Sequence, residues 1–340
     1  MTLAHAGAWA SGLEIRPYRV ADESEVLSLL TAALGQGPAG SRTVEFFRWK
    51  HLANPFGRSL MLVGEADGRV VGLRAFLRWR FVAGDRTVEA VRAVDTATHP
   101  EFQGRGVFSR LTREAIEALR EEADLVFNTP NEKSLPGYLK LGWRVVGRVP
   151  VSVRVRRPGT FLWNLRAPAP RHPHPTVDAS PAAEALADGD RVAELLRRIE
   201  RPDGRLSTPR TIEYLRWRYG AAPLLDYRAV RLQEGEGLAI FRIRPRGGLW
   251  EATVTELLVP AGDVSAGRRL LRTVTRAAAA DHLTCSFPGR SVASRAARRA
   301  GYLPAPGGMT LVANPLRGEP APDPTDLRSW ALSLGDLEVF

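Results

Sequence analysis

Residues 95–119 read DTATHPEFQGRGVFSRLTREAIEAL, and the rest of the chain is organised around this stretch. It begins as a strand, turns at His99–Pro100, and passes a Gly-rich segment at 103–106 before an amphipathic helix starts. The first backbone N–H groups of a helix lack helical partners and lie at the positive end of its dipole, and glycines let a ligand come close. The pattern fits a phosphate-binding helix start, and a plain Gly-rich turn before a helix explains this stretch equally well.

Composition places the chain among ordinary globular proteins. Its 340 residues suffice for two domains, with 44% hydrophobic and 25% charged residues. No apolar run approaches the ~18 residues of a membrane helix, and residues 1–12 lack the basic start and apolar core of a signal peptide. The one cysteine, Cys285, excludes an intramolecular disulfide and a Cys-cluster metal site. We therefore expect a cytoplasmic protein with no membrane partner.

The net charge of +11 is carried mainly by arginine. Such a charge is typical either of proteins that bind nucleic acid or an anionic ligand, or of a compositional bias toward Arg and Ala. The arginines are scattered, and no nucleic-acid recognition motif accompanies them. We favour compositional bias and expect no nucleic-acid partner.

The first half has the element order of a strand, two helices and an antiparallel meander. Strands are predicted at 13–16, 60–65, 70–79 and 87–97, and helices at 21–34 and 41–52. After the central helix follow a short buried strand at 124–127, a helix at 131–141 despite Pro136, and a strand at 142–146.

Two motifs in this half resemble signatures of the GNAT superfamily of N-acetyltransferases. The coenzyme A loop of that family, Q/R-x-x-G-x-G/A, has its counterpart at Gln103–Phe108. The signature N-x-x-A-x-x-x-Y-x-K-x-G-F has its counterpart in Asn131, Ser134, Tyr138, Lys140, Gly142 and Trp143. The two occur in the order of the family, and the match covers roughly residues 13–157. The departures are Phe108 for Gly/Ala, Ser134 for Ala and Trp143 for Phe.

The resemblance implies a site for acetyl-CoA, with no metal. It assigns coenzyme contacts to Thr96, Ala97, Thr98, Gln103, Gly104, Arg105, Gly106, Val107, Phe108, Ser109, Asn131 and Ser134. Tyr138 stands in the place of the acid that protonates the leaving thiolate. Asp95 stands where many relatives carry an acidic residue and is a candidate for the catalytic base. A half-buried aromatic that seals a helix against the sheet is the structural alternative for Tyr138.

An internal repeat indicates that the second half is a copy of the first. TVEFFRWKHLANP at 43–55 recurs as TIEYLRWRYGAAP at 211–223, an offset of 168 residues. The strands and helices predicted after 223 follow the same order, but the loop at 260–268 has no Q-x-x-G-x-G. Because Glu45, Arg48 and Trp49 recur in the copy that lacks the motif, we interpret these three residues as scaffold.

The predicted fold class is therefore α/β (α+β), with two tandem GNAT-like domains, each a mixed and mostly antiparallel sheet flanked by helices. The predicted domain limits are 1–157 for the catalytic domain, 158–184 for a Pro-rich linker, 185–315 for the degenerate copy and 316–340 for a docking tail. His172 and His174 are attributed to the linker, because no Cys or acidic cluster accompanies them.

The tail ends on an apolar residue, Phe340, after the acidic pair Asp336 and Glu338. We expect residues 330–340 to fold back between the copies and to place the Phe340 carboxylate at the amine site as a base. This arrangement resembles the enhanced-intracellular-survival acetyltransferases, which also have duplicated GNAT domains. A tail that only covers apolar surface is an equal alternative.

The expected function is transfer of an acetyl group from acetyl-CoA to a primary amine of a small molecule, by direct attack in a ternary complex. An amino sugar, an aminoglycoside-like compound or an amino-acid derivative would serve as acceptor. A Fem-type aminoacyl transferase and a non-catalytic acyl-CoA-binding or interaction protein are the alternatives. Association into a homo-oligomer stays open.

Overall fold

Two seven-stranded sheets form the framework of the protein. The structure is a computed structural model that describes residues 12–35, 42–201, 203–232, 237–318 and 321–337. The first half of the chain contains β1 (Glu14–Pro17), α1 (Glu23–Leu34), α2 (Val44–His51), β2 (Leu60–Ala66), β3 (Arg69–Ala83), β4 (Arg86–Thr98), α3 (Val107–Leu119), β5 (Leu125–Asn128), α4 (Leu135–Lys140), β6 (Arg144–Val149) and β7 (Ser152–Val155).

After one helix, the second half repeats this order from its first strand onward, with one additional short helix. It contains α5 (Pro158–Asn164), β8 (Ser180–Pro181), α6 (Ala182–Ala185), α7 (Gly189–Arg198), α8 (Ile212–Leu215), β9 (Tyr227–Arg231), β10 (Leu238–Arg246), β11 (Leu249–Leu258), α9 (Val264–Ala277), β12 (His282–Cys285), α10 (Val292–Arg299), β13 (Leu303–Pro304), β14 (Met309–Pro315) and α11 (Leu334–Leu337). The last turn of α8 continues as one π-helical turn over Arg216–Gly220.

The strand order is β1-β2-β3-β4-β5-β14-β6 in one sheet and β13-β7-β12-β11-β10-β9-β8 in the other. Each sheet is antiparallel except for one parallel pair, which is β4 with β5 in the first and β11 with β12 in the second. The predicted fold class of two mixed, mostly antiparallel sheets flanked by helices is confirmed. Among the described residues no helix is both long enough and apolar enough to cross a bilayer.

The two halves exchange a strand. β7 comes from the first half but pairs with β12 and β13 of the second sheet, and β14 comes from the second half but lies between β5 and β6 of the first. Each exchanged strand covers an edge that would otherwise expose unpaired backbone groups. The boundary predicted at residue 157 does not anticipate this exchange, because each strand pairs with a partner far away in sequence. The domain limits therefore stay predictions, since the sheets do not divide along them.

Two other segments differ from the sequence prediction. The helix predicted over 131–141 begins only at Leu135, because Pro136 is tolerated in the first turn of a helix but not further inside. The predicted linker at 158–184 contains α5 and α6, and its strand β8 pairs with β9. This segment is therefore part of the second sheet and its surroundings.

Two tryptophans from the internal repeat join the halves. The Trp49 and Trp217 rings stack with centroids 5.1 Å apart. The Trp49 indole N–H donates to the backbone carbonyl of Trp217 at 2.8 Å, and the Trp217 indole N–H donates to the carbonyl of Trp49 at 2.9 Å. Both side chains are buried in the largest apolar cluster, which draws residues from both halves. The scaffold role inferred for Trp49 corresponds to this reciprocal contact.

The segment that leads to the C-terminus lies between the two halves as far as Leu337. The backbone of Trp330 forms a parallel bridge with Leu206, and its ring packs on Phe81 and Phe127 of the first sheet. Farther along, the Arg92 guanidinium donates to the backbone carbonyls of Asp336 and Leu337. Residues 330–337 are thus held by side chains of both halves.

We predict that Trp49→Phe lowers the free energy of unfolding by about 1–3 kcal/mol. Phenylalanine keeps most of the stacking but removes the indole N–H, which leaves the buried carbonyl of Trp217 without its donor. Urea unfolding of the full chain measures the effect, with Trp163→Phe at an exposed tryptophan as the matched control. Equal losses in the two variants would show that the reciprocal hydrogen bond contributes nothing.

Candidate active site

The parallel strands β4 and β5 part from each other at the predicted site. They pair at Ala90–Leu125, Val91–Val126 and Arg92–Phe127, after which β5 ends and β4 continues to Thr98. On its other side β4 stays paired with β3, through Ala97–Leu73 and Thr98–Gly72. Residues 96–98 therefore lie on a strand whose edge toward β5 is open, which is where the resemblance places the acyl end of the coenzyme.

The Gly-rich loop ends at an uncapped helix start. Gly106 is the N-cap of α3 in the left-handed region, with φ of 80°, and Gly104 has φ of 73°. A Cβ atom added at either glycine would meet no atom within 4 Å, so the space above the loop is open. The side-chain amide of Gln103 donates to the carbonyl of Thr98 at 3.3 Å and ties the loop to β4.

The first turn of α3 supplies the donors that an anion needs at this position. The amides of Val107, Phe108 and Ser109 have no acceptor within the helix, and no side chain caps them. Arg105 lies over the ring of Phe102 at 5.2 Å from the ring centroid, beside the loop. These residues fit a pyrophosphate, because backbone donors, the helix dipole and a nearby guanidinium all favour negative charge.

Phe108 does not fill the loop, although the family pattern has a small residue there. Its ring lies edge-on to Tyr138 with centroids 5.8 Å apart. The ring also approaches Gly137 so closely that a Cβ atom added to Gly137 would lie 3.2 Å from Phe108 Cε1. The ring is therefore accommodated toward α4, and the amide of Phe108 remains at the helix start. The departure from the family pattern changes the contact between α3 and α4 and leaves the loop open.

The hydroxyl of Tyr138 is held by a buried arginine that the sequence analysis missed. Arg74 Nη1 donates to Tyr138 Oη at 3.1 Å and also to Thr96 Oγ1 on the open part of β4. Tyr138 is buried and packs on Trp143, with ring centroids 5.3 Å apart. This contact brings Thr96 and Tyr138, two residues from separate motifs, to the same guanidinium.

Arg74 is a buried cation with no carboxylate partner among the described residues. Its Nε and Nη2 atoms are buried and have no hydrogen-bond acceptor in the described structure. The guanidinium lies over the rings of Phe76, Phe108 and Tyr138, at 4.3, 5.6 and 5.3 Å from their centroids. The sequence gives one signal for this residue. Arg74 lies two positions from Phe76 and from Gly72 in the predicted strand, and therefore on the same inward face.

Asn131 and Ser134 shape the entry to α4. The Asn131 side-chain oxygen accepts from the amide of Ser134 at 2.9 Å, and Ser134 Oγ donates to the Asn131 carbonyl at 3.3 Å. Both contacts form the turn that precedes the helix carrying Tyr138. The structure therefore shows these two residues in a local turn, and their predicted contact with the coenzyme stays a prediction.

Asp95 faces the opposite side of the sheet from Thr96, because its carboxylate contacts Lys50 and His51 whereas the Thr96 hydroxyl contacts Arg74. It is in the left-handed region, with φ of 40°, at a point where the register of β3 and β4 shifts. Its Oδ2 lies 2.6 Å from Lys50 Nζ and 3.0 Å from His51 Nε2, both on α2. His51 Nδ1 lies 2.9 Å from Ser59 Oγ. Asp95 and Tyr138 are therefore not brought into direct contact.

Burial and charge act in opposite directions on this cluster. Burial alone would raise the pKa of Asp95, but the Lys50 ammonium and the His51 hydrogen bond outweigh it and hold that pKa well below its usual range. Burial lowers the pKa of both Lys50 and His51, and the Asp95 carboxylate opposes this in each case. The imidazole is neutral near pH 7. A neutral ring beside a carboxylate donates from Nε2 and accepts from Ser59 at Nδ1, and we assign that tautomer. Asp95 is therefore a charged, weakly basic carboxylate.

A cavity of about 440 Å³ adjoins Asp95 between the two halves. Its lining includes Lys50, Arg92 and Asp95 of the first half, Arg244 and Glu251 of the second, and the tail residues Leu334 and Leu337. Thr129, just beyond the end of β5, also lines it. The cavity thus reaches the place where β4 and β5 part, from the face opposite α3.

The second half has a different helix start at the corresponding position. There Asp263 is the N-cap of α9, and its carboxylate accepts from the amide of Ala266 at 2.8 Å. This side chain occupies one of the amides and adds a negative charge, which opposes the binding of a phosphate. The loop that lacks the Gly-rich motif therefore also has a physical reason not to bind a pyrophosphate.

The remaining predicted residues have simple positions. Glu45 is exposed, and the pKa of its carboxylate is lowered by hydrogen bonds to its own backbone amide and to Thr43, the N-cap of α2. Glu213 and Thr211 repeat this arrangement at α8, which agrees with capping. Arg48 pairs with Glu23 of α1 at 2.8 Å. Phe340 lies outside the described residues.

Within the described ranges no group of three His, Cys, Asp or Glu residues could hold a metal ion.

Residues 14–146 match the profile of the family described as acetyltransferase (GNAT) domain. This part of the chain, which contains the open strand edge and the Gly-rich helix start, belongs to the GNAT acetyltransferases. The protein is therefore an acetyltransferase, and the enzyme class predicted from the two motifs is confirmed.

Solved structures share the fold over most of the chain. Eis1 from Mycobacterium abscessus is 16% identical with a TM-score of 0.56, over 90% of this chain and 74% of that one. GCN5-related N-acetyltransferases from Kribbella flavida and Anabaena variabilis are 18% and 12% identical, with TM-scores of 0.56 and 0.60. The match covers 89% of this chain and 71% of the Kribbella chain, and 90% of this chain and 73% of the Anabaena chain. No curated protein matches the sequence. At these identities the likeness concerns the fold.

We predict that Asp95→Asn lowers the free energy of unfolding at pH 7 by about 3–5 kcal/mol, because it leaves the buried Lys50 ammonium without its counter-ion. The pKa of Asp95 is lower in the folded protein than in the unfolded chain. Its contribution is therefore complete above about pH 4 and is lost as the pH falls through the folded value.

Urea unfolding at pH 7 and at pH 3 tests this expectation. Wild type and Asp95→Asn should differ less at the lower pH. Asp85→Asn, at an exposed turn, is the matched control and should have little effect at either pH. If both variants behave alike, the ion pair with Lys50 does not stabilise the fold.

Proposed function

We propose that the protein transfers an acetyl group from acetyl-CoA to a primary amine of a small molecule, within a ternary complex. The observation that carries this proposal is the contact of Arg74 with both Tyr138 and Thr96. It joins a buried phenol to the open edge of β4, on the sheet face that α3 covers. The acceptor classes expected from the sequence, an amino sugar, an aminoglycoside-like compound or an amino-acid derivative, remain the candidates.

The donor would be held by the first half. Backbone amides from Gly104 to Ser109 would bind its pyrophosphate, and the open edge of β4 at Thr96, Ala97 and Thr98 would pair with its amide-bearing arm. When bound, acetyl-CoA supplies an acetyl thioester activated for attack by an amine. An N–H group of the same strand edge would stabilise the oxyanion of the tetrahedral intermediate.

Tyr138 is proposed as the acid, and Arg74 as the residue that positions it. A guanidinium has no acceptor atom, so the Tyr138 oxygen must accept from Arg74 and direct its own hydrogen elsewhere. The phenolic proton is then available for a leaving thiolate.

The amine is proposed to approach from the cavity on the other face. The charged Asp95 carboxylate lines that cavity and attracts an ammonium group, while its contacts with Lys50 and His51 make it a weak base. We therefore assign Asp95 to binding and orienting the acceptor. Its loss should raise KM for the amine more than it lowers kcat.

We predict that Tyr138→Phe lowers kcat by roughly 10²–10⁴ with little change in the Kd of acetyl-CoA, because only the transferable proton is removed. Arg74→Met should lower kcat by roughly tenfold or more, since it leaves the phenol without its positioning donor. Steady-state kinetics and calorimetry measure these effects.

The double variant separates positioning from general damage. If Arg74 acts through Tyr138, then Arg74→Met should cost little further activity once the phenol has gone. Fully additive losses would assign Arg74 to scaffolding. An unchanged kcat in Tyr138→Phe would instead contradict the acid role and leave Tyr138 as a packing residue.

We predict one acetyl-CoA per chain, bound by the first half. Gly106→Val should weaken binding by roughly tenfold or more, because valine is strained at a φ of 80° and covers the helix start. Gly262→Val is the matched control, since Gly262 has a φ of 78°, equally open surroundings and a place in the corresponding loop of the second half. Two sites per chain, or equal effects of the two substitutions, would contradict the assignment.

A further inference from the structure

A continuous part of the chain contains no acidic residue. From Lys133 to Val177 there are nine Lys and Arg residues, yet none of the 37 Asp and Glu residues of the protein. This stretch includes α4, β6, β7 and α5. The net positive charge of the protein is therefore concentrated in one segment, whereas the sequence analysis attributed it to a general bias.

The same stretch exposes large apolar side chains on α5 and on Leu165 directly after it. The exposed fractions are 80% for Trp163, 72% for Leu162 and 54% for Leu165. Isolated apolar residues are common on protein surfaces, but a tryptophan and two leucines within four residues mark a contact surface. Leu139 and Val145, from the same acid-free stretch, are also exposed.

The exposure of α5 is a fixed feature of the fold. Asn164 is buried on the inner side of the helix, and Phe161 packs on His282 with ring centroids 5.3 Å apart. Ala167 and the carbonyl of Asn164 lie so close to Gly248 that a Cβ atom there would collide with both. The helix is therefore anchored to the β10–β11 turn while Leu162, Trp163 and Leu165 project outward.

Cationic side chains flank these apolar residues. Arg157 precedes α5 and Arg166 follows it, and both are exposed. Arg171 lies a few residues farther along and is exposed as well. None of the three has a carboxylate within 4 Å in the described part of the chain. Exposed guanidiniums around an apolar patch, without a carboxylate at ion-pair distance among the described residues, favour an occupant that is both apolar and anionic.

We propose that α5 and its flanking arginines form a docking surface for an anionic lipid bilayer. Leu162, Trp163 and Leu165 would enter the region below the headgroups, and Arg157 and Arg166 would bind lipid phosphates. Arginine stems can lie along apolar surface while their charged ends stay in water, which suits this arrangement. The helix lies on the membrane and does not span it.

The chemistry of the patch favours lipid over the other anionic partners. Nucleic acids present aromatic faces and phosphates, but leucine side chains have no π face for bases to stack on. A second copy of this chain in a symmetric pair would bring the same arginines face to face, with no acidic residue from the stretch between them. Aliphatic residues ringed by arginine match the apolar and anionic layers of a bilayer.

Sedimentation of the full chain with large unilamellar vesicles tests the proposal. We expect binding to vesicles of equal parts phosphatidylglycerol and phosphatidylcholine at 50 mM salt, weaker binding at 500 mM salt, and no binding to phosphatidylcholine alone. Leu162→Ser with Trp163→Ser should reduce the partition coefficient by roughly tenfold or more. Arg157→Gln with Arg166→Gln should reduce it and weaken its salt dependence.

Leu224→Ser is the matched control, because Leu224 is 50% exposed and lies outside the acid-free stretch. It should bind vesicles as the wild type does. Absence of binding to the anionic vesicles, equal binding to neutral ones, or an effect of Leu224→Ser as large as that of the α5 variant would overturn the proposal. A homo-oligomer that Trp163→Ser dissociates, seen by light scattering, would also overturn it and identify a second copy as the occupant.

Discussion

The reciprocal contact between Trp49 and Trp217 fixes the relation of the two halves. Each indole donates to the backbone of the other residue, so each half supplies a hydrogen bond that the other cannot make internally. The pair lies in an apolar cluster to which both sheets contribute. The exchange of β7 and β14 is compatible only with this close association, since each sheet takes a strand from the other half of the chain. Neither sheet is complete without the whole chain.

Although the two halves share this framework, they place charged groups differently at corresponding positions. At the helix start after the meander, the first half has Gly106 and free amides, and the second has the carboxylate of Asp263. On the other face, the position of His51 is taken in the repeat by Tyr219, whose hydroxyl donates to the buried Glu256 at 2.8 Å. There Gly335 of the tail lies so close that a side chain would collide with Tyr219 Oη. In the first half, the region beside Asp95 is a cavity. The corresponding region of the second half is filled by the tail.

Local patterns made much of this predictable. The two GNAT motifs and the Trp-containing repeat indicated the family, the duplicated fold and the half that carries the loop. Two kinds of feature were missed because they depend on distant partners. The strand exchange pairs residues more than a hundred positions apart, as Val312 with Asn128, and no periodicity records such a choice. Arg74 lies in a strand predicted from its apolar neighbours, where a single charged residue is ordinarily taken for a solvated position.

Physical arguments also bear on whether Arg74 serves the site, as proposed, or only packing. A buried guanidinium with two nitrogen atoms that lack an acceptor is costly, and apolar replacements of buried charges are often neutral or stabilising. The three surrounding rings offset part of that cost through cation–π contact. A residue kept only for packing at this position would be better apolar. The buried charge beside the Tyr138 hydroxyl therefore supports the positioning role that we propose for Arg74.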